Sequence, residues 1–277
     1  MTFLRVRSNG FTPPEKLHAF YRQKLDEGSA PGTVRLIHAA LRRALSDAVK
    51  RGLVARNVAT LVSPPRIERY EAQTLTAEQA EQLLEAARGS RLDTLLIMAL
   101  TTGMRRGELL ALRWDDVDLK QGLISVHRTM TRVGGYGYRE GEPKTRSSRR
   151  RIVLPGVTLD ALKEHEMQHE AIRMEMGDRW HEKGLVFCDR YGGFFSPDEV
   201  LRSFSKLLKK IGLPHMRFHD LRHSAATILL VAGVHPKVVQ ERLGHSTIAM
   251  TLDVYSHVLP SMQQEAAGKI DDLFKHR

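Results

Sequence analysis

The 277-residue sequence is 42% hydrophobic and 27% charged, which is ordinary for a folded protein with room for one large and one small domain. Its 43 lysines and arginines outnumber 32 acidic residues, and the net charge of +11, with a pI near 9.9, favours a polyanionic partner such as nucleic acid over a merely basic surface. The single cysteine, Cys188, excludes an internal disulfide and a cysteine-based metal site, and without a long apolar run or apolar leader the sequence predicts a cytoplasmic protein with no membrane partner.

Two amphipathic helices are predicted in a short first domain, residues 1–67. The first begins near Pro13 and stops at Gly28, and the second follows Pro31. Five apolar residues form one stripe along the second helix: Val34, Ile37, Leu41, Leu45 and Ala48. The other face carries basic side chains that suit either a solvated surface or a DNA backbone, and the predicted DNA contacts among them are Arg35, Arg42 and Arg43.

A proline-rich linker leads into the second predicted domain, residues 68–277. The linker is marked by Pro64 and Pro65, and Thr76 with Gln79 forms a capping box that opens the next helix. Helices are predicted at 76–88, 91–101, 105–113, 157–176, 197–211, 219–232, 236–243, 247–256 and 260–274. Alternating residues predict strands at 123–130 and 151–154, with a glycine-rich loop at 134–141 between them. The predicted fold class is mainly α with a small antiparallel β-sheet.

Five short motifs in the second domain carry side chains suited to chemistry on a phosphate. They are Thr102-Gly103-x-Arg105-x-x-Glu108, Lys144-Thr145, His219-x-Leu221-Arg222-His223, Leu243-Gly244-His245 and Tyr255. Arginine offers a fixed fork of donors and stays protonated, histidine exchanges protons near neutral pH, and tyrosine supplies an oxygen nucleophile. In this order the motifs resemble those of the tyrosine recombinase, or phage-type integrase, family across residues 70–260.

The resemblance implies that family's catalytic domain, preceded here by a short, partial helical DNA-clamping domain. The implied catalytic residues are Arg105, Lys144, His219, Arg222, His245 and Tyr255, with Glu108 and His257 in support. In such a set the arginines hold the phosphate oxygens, and the first histidine takes the nucleophile's proton or binds the phosphate. The second histidine donates to a phosphate oxygen, and the lysine protonates the 5′-oxygen. The tyrosine forms a 3′-phosphotyrosyl link, so the resemblance implies neither a metal nor another cofactor.

The resemblance also implies double-stranded DNA as the partner, a tetramer on DNA and a directionality factor, in a bacterial or phage host nucleoid. Stretch 139–151 is strongly basic, so Lys144 is either the acid or part of a strip along the DNA backbone. Three arginines in this stretch are predicted DNA contacts: Arg146, Arg149 and Arg150. The predicted function is site-specific recombination that integrates or excises a mobile element.

Two features leave alternatives open. The first domain has fewer helices than the family's DNA clamp, so the chain is expected to be a fragment, a shortened gene product or a remnant. A catalytically impaired DNA-binding remnant is therefore the alternative function. His165-Glu-x-x-His169 matches the zinc-protease signature, but residues 163–175 are dense in charge and indicate a solvated helix instead.

Overall fold

The computed structural model of the chain describes residues 14–67, 72–133, 137–141 and 149–255, with 267, 268, 270–272 and 274 near the C-terminus. The chain divides into two compact units, Met1–Glu71 and Ala72–Arg277. The sequence places this boundary a few residues earlier, after residue 67. None of the helices within those described ranges is long and apolar enough to span a lipid bilayer.

The described residues of the first unit form two helices and a short 3-10 turn: α1, Pro14–Asp26; α2, Pro31–Lys50; and the turn Val58–Leu61. Pro31 opens α2 as predicted, because its missing N–H belongs to a first turn that lacks intrahelical acceptors. The small core of the unit is Leu17, Tyr21, Val34, Val58, Ala59 and Val62. The Tyr21 hydroxyl lies 3.0 Å from Nδ1 of His38, a buried histidine that the apolar stripe did not include.

The second unit holds eight further helices among its described residues. They are α3, Ala77–Ala87; α4, Asp93–Thr102; α5, Arg106–Leu110; α6, Gly156–Met176; α7, Pro197–Lys210; α8, Asp220–Val231; α9, Pro236–Leu243; and α10, Ile248–Tyr255. The capping box predicted at the start of α3 is present, with Thr76 and Gln79 each accepting the other's backbone N–H. The predicted C-terminal helix, 260–274, lies mostly outside the described residues.

The strands form two small antiparallel sheets in place of the one predicted. They are β1, Val117–Asp118; β2, Leu123–Val126; β3, Thr129–Val133; β4, Gly137–Gly141; and β5, Arg150–Val153. The first sheet has the order β1–β2–β5, whereas β3 and β4 form a separate two-stranded sheet. The prediction of a loop throughout 134–141 is wrong, because residues 137–141 pair in register with β3, Tyr138 opposite Arg132. The glycines are compatible with this hairpin strand, whose side chains are at most half-buried.

The core of the second unit lies between α4, the sheets and α7–α8. Leu95, Leu96 and Met98 of α4 are fully buried, as the apolar run 95–100 predicts. They belong to one apolar cluster with Ile124 and Ile152 of the three-stranded sheet. Because α4 is surrounded by this cluster, its C-terminal end is held rigidly where the first of the chemical motifs begins.

Candidate active site

The end of α4 anchors the site, because a glycine there allows another helix to approach closely. Gly103 has a left-handed φ of 63°, and a Cβ added to it would lie 2.0 Å from Cδ2 of Leu243. Any side chain would therefore strain the backbone and collide with α9. Gly244, with φ of 70°, ends α9 as predicted and leads directly into His245. Two glycines thus bring the segment around His245 next to the start of α5.

Arg105 and Glu108 are joined across the first turn of α5. Nη1 of Arg105 donates to Oε1 of Glu108 at 2.8 Å, and the Arg105 backbone N–H donates to Oε2 at 2.9 Å. The carboxylate is 2% exposed, while the Arg105 side chain is 35% exposed. Nη2 of Arg105 also reaches the Gly244 carbonyl at 3.4 Å. The buried Glu108 therefore orients Arg105, and part of the Arg105 side chain stays open to a ligand.

Arg150 occupies a different place from the exposed DNA strip predicted for it. Its side chain is 6% exposed, and Nη2 donates to Oε2 of Glu108 at 2.9 Å. Its Nε donates to the Arg242 carbonyl at 2.7 Å. In β5, Arg150 lies on the same face as the buried Ile152, but the strand predicted from the sequence, 151–154, did not include Arg150. These contacts favour an internal role for Arg150 over the predicted contact with the DNA backbone.

Arg222 lies on α8 and is buried near Arg105 and Arg150. It is 3% exposed, and Nη1 donates to the Gly103 carbonyl at 2.7 Å. Its Nη2 is buried and has no hydrogen-bond partner among the described residues. Burial, followed by the charges of Arg105 and Arg150, lowers the pKa of Arg222 to about 9, so it remains a cation at neutral pH. An unpaired buried donor among cations is suited to receive an anion.

His219 precedes α8 and lies beside His223, their ring centroids 5.5 Å apart. The His219 residue is exposed, yet nearby protein removes enough water from the imidazole to lower its pKa to about 4. The neighbouring charges of His223, Arg222 and Arg105 act in the same direction. The imidazole is therefore neutral at physiological pH, the form in which it can accept a proton.

His245 is buried, and its Nδ1 lies 2.9 Å from the Thr251 hydroxyl of α10. Burial, then Arg222 and Arg105, lower the pKa of His245 to about 3. If the Thr251 hydroxyl donates to Nδ1, the neutral ring carries its proton on Nε2 and can donate there. Sequence reasoning missed Thr251, because only the fold shows that this hydroxyl is fully buried against the histidine.

Tyr255 is the last residue of α10, which packs against α8 and α9. Its backbone thus lies on the helix that also holds Thr251, but its side chain lies outside the described residues. Lys144, Arg146 and His257 also lie outside them.

The β3–β4 hairpin, which precedes Lys144 in the chain, is anchored by Arg113, whose Nε and Nη2 donate to Glu140 at 3.0 and 2.5 Å.

The structure also describes four predicted DNA-contact arginines and the two histidines of the zinc-protease signature. In the first unit, Arg35, Arg42 and Arg43 are exposed on α2, and Arg149 is exposed just before β5. His165 and His169 are half-buried among aromatic rings, the ring of His165 5.3 Å from Phe187 and that of His169 5.1 Å from Trp180. A ring nitrogen of His165 lies 2.7 Å from the Val186 carbonyl. Across the described ranges no three His, Cys, Asp or Glu side chains form a group that could hold a metal.

Comparison with known proteins identifies this arrangement. The family model described as the phage integrase family matches residues 73–262. The chain belongs to the phage integrase family. It is 32% identical to a tyrosine recombinase XerC-like protein of Caldanaerobacter subterraneus subsp. tengcongensis, covering 94% of this chain and 71% of that protein. The ICEBs1 integrase of Bacillus subtilis is 29% identical over 92% of this chain and 69% of its own length.

Solved structures share the fold of this integrase. The Tn1549 transposon integrase in complex with transposon right end DNA superimposes with a TM-score of 0.77 and 22% identity, over 93% of this chain and 85% of that one. A lambda integrase dimer bound to a COC′ core site gives a TM-score of 0.62 and 20% identity, over 89% of this chain and 81% of that one. The family resemblance seen in the motifs and the predicted mainly α fold are confirmed, and the chain is a tyrosine-type site-specific recombinase.

Proposed function

We propose that this integrase cleaves and rejoins double-stranded DNA through a covalent bond between Tyr255 and a 3′-phosphate. The Tyr255 oxygen attacks the scissile phosphorus, the bond from phosphorus to the 5′-oxygen breaks, and the 5′-strand leaves as a free hydroxyl. The same steps in reverse, on a partner duplex, exchange the strands and thereby integrate or excise a mobile element. Because the ester retains the energy of the broken phosphodiester bond, the cycle consumes no nucleotide.

The observation that carries this proposal is the buried Arg222 guanidinium beside Arg105. Attack on a phosphodiester adds negative charge to the two non-bridging oxygens, and rigid donors in a site of low polarity stabilise that charge strongly. Nη2 of Arg222 lacks a partner within the described part of the chain, and the Arg105 guanidinium is partly open. Two cations held by Gly103 and Glu108 therefore suit one phosphate.

The proton transfers are assigned to groups whose ionisation suits them. We assign to neutral His219 the proton of the Tyr255 phenol, since a phenol with an ordinary pKa near 10 is a weak nucleophile at neutral pH. His245 donates from Nε2 to a non-bridging oxygen. Lys144, on the segment after β4, returns a proton to the 5′-oxygen. His257, two residues later in the sequence, supports Tyr255.

A nicked suicide substrate tests the proposal. Cleavage next to a nick releases a short 5′-strand that diffuses away, so the protein stays covalently attached and migrates as a protein–DNA adduct in denaturing gels. DNA from the chromosomal flanks of the gene serves as substrate. We expect an adduct with the wild type and with Tyr191→Phe, an exposed tyrosine far from the motifs in sequence, and none with Tyr255→Phe.

Each other outcome identifies an alternative. An adduct that survives Tyr255→Phe means that another residue is the nucleophile. Specific binding without any adduct indicates a DNA-binding remnant, and loss of cleavage on adding EDTA indicates a metal-dependent hydrolase.

We further propose that the protein acts as a tetramer on DNA in the host nucleoid, with a directionality factor setting the balance of integration and excision. The net charge of +11 and the exposed arginines of α2 support DNA as the partner. Affinity should fall steeply with salt, and each of Arg35→Gln, Arg42→Gln and Arg43→Gln should reduce the salt slope by about one unit if that side chain contacts a phosphate. Sedimentation with and without a core-site duplex measures the assembly.

A further inference from the structure

Arg150 connects two parts of the site that no covalent segment joins closely. Its Nη2 contacts Glu108, 42 residues earlier in the chain, and its Nε contacts the Arg242 carbonyl, 92 residues later. Both contacts use adjacent nitrogens of one planar guanidinium, so they fix the two acceptors relative to one another. The side chain is 6% exposed, which leaves little of it for DNA.

Each of the two residues that accept from Arg150 is close to a proposed catalytic residue, either through a direct contact or along the chain. Glu108 holds the Arg105 guanidinium at 2.8 Å. Arg242 lies three residues before His245, and its own guanidinium donates to the Thr101 and Val153 carbonyls at 2.8 and 2.9 Å. Arg242, at the end of α9, is therefore held in two ways: its backbone carbonyl accepts from Arg150, and its side chain donates to two other carbonyls.

The charges lead to the same role. Glu108 alone beside Arg105 would form a neutral pair, and a neutral pair attracts a phosphate weakly. With Arg150 sharing the carboxylate, Arg105, Arg150 and Glu108 together carry one net positive charge, and Arg105 is the member of the three whose side chain is partly exposed. Arg150 thus satisfies the buried carboxylate and leaves the charge of Arg105 available to the substrate.

We propose that Arg150 is a positioning residue that sets Arg105, through Glu108, and His245, through the end of α9, in one geometry for the scissile phosphate. This role rests on the proposed function and extends it to a residue that does not touch the reacting atoms. It replaces the expected contact between Arg150 and the DNA backbone.

Single-turnover cleavage of the suicide substrate at saturating DNA tests this role in Arg150→Lys, Arg150→Gln and the control Arg151→Gln. Lysine keeps the charge beside Glu108, but its single flexible nitrogen does not reproduce the two fixed donors of the guanidinium. We expect both Arg150 variants to cleave about 10- to 100-fold more slowly, with the smaller loss of rate in Arg150→Lys. Because total affinity for DNA depends on many other phosphate contacts, the affinity and the salt slope of both variants should stay close to wild type even though the scissile phosphate itself is held less well. The Arg151→Gln variant should cleave at the wild-type rate, because Arg151 is exposed on the opposite face of β5.

The result that overturns the proposal is wild-type cleavage at saturation by Arg150→Lys, with or without weaker binding. A salt slope reduced by about one unit in Arg150→Gln, at an unchanged cleavage rate, would restore the DNA contact. If Arg150→Gln fails to fold, the Arg150→Lys rate decides. Losses that add fully in Glu108→Gln combined with Arg150→Gln would also refute action through the shared carboxylate.

A wild type that forms no adduct refutes the proposed function and not the role of Arg150. In that case the affinity of the arginine cluster for inorganic phosphate, titrated at low ionic strength, decides separately. We expect phosphate to bind more weakly to Arg150→Lys than to wild type or Arg151→Gln. Equal binding by all three would overturn the positioning role.

Discussion

Replacing Glu108 by glutamine removes the one negative charge that two arginines share in this site. The carboxylate is 2% exposed and the Arg150 side chain 6% exposed, so the substitution leaves a buried guanidinium facing a neutral amide. Breaking a buried pair by removing one partner costs about 3–5 kcal/mol. For a domain of about 200 residues, each kcal/mol shifts the melting temperature by about 2–4 °C, so the expected loss is about 6–20 °C.

Differential scanning calorimetry and suicide-substrate cleavage measure the two consequences of Glu108→Gln. Because Arg105 also loses its orienting partner, cleavage should fall by about 10²–10³-fold even at temperatures where the variant is folded. Glu85→Gln is the matched control, since that glutamate pairs with Arg88 on an exposed surface at 2.6 Å and should contribute less than about 1 kcal/mol. A Glu108→Gln variant that melts and cleaves like Glu85→Gln would refute the reasoning.

The same variant tests the acid dependence of stability. Burial raises the pKa of Glu108, but the charge and hydrogen bonds of Arg150 and the bonds from Arg105 outweigh it, so the net pKa lies below the ordinary 4.5. A depressed carboxyl pKa contributes stability that is present above about pH 4.5 and is lost as the pH falls through the lowered value. The difference in melting temperature between wild type and Glu108→Gln should therefore shrink below pH 4.5.

Three further predictions concern the surrounding residues. Gly103→Ala should destabilise the fold by more than about 1 kcal/mol in denaturant titrations, because it combines a left-handed φ with a Cβ 2.0 Å from Leu243; unchanged unfolding would show that α9 shifts freely. Thr251→Val should slow cleavage about tenfold with little change in DNA affinity, since His245 loses the hydrogen bond that selects its tautomer, whereas Thr251→Ser should retain most of the rate. The acid limb of kcat/KM that belongs to His219 should lie near pH 4, because its pKa is lowered to about 4, and a limb near pH 6.5 that disappears in His219→Gln would contradict this value.

Local signals in the sequence determined much of the helical frame and the family. Pro31, Pro197 and Pro236 each open a helix, and Thr76 with Gln79 caps another, because these effects act within a single turn. The ordered motifs resemble the phage integrase family for a similar reason, since phosphate chemistry requires specific side chains at fixed local spacings.

The tertiary structure alone decided which of the charged residues face inward. Arg149, Arg150 and Arg151 are consecutive basic residues, yet only Arg150 enters the site, through contacts 42 and 92 residues distant along the chain. Likewise, residues 137–141 form a strand because β3 offers them a hydrogen-bonding edge, and His165 and His169 are covered by aromatic rings from other segments. Burial and pairing depend on segments that meet only in the folded state, so one short stretch of sequence does not specify them.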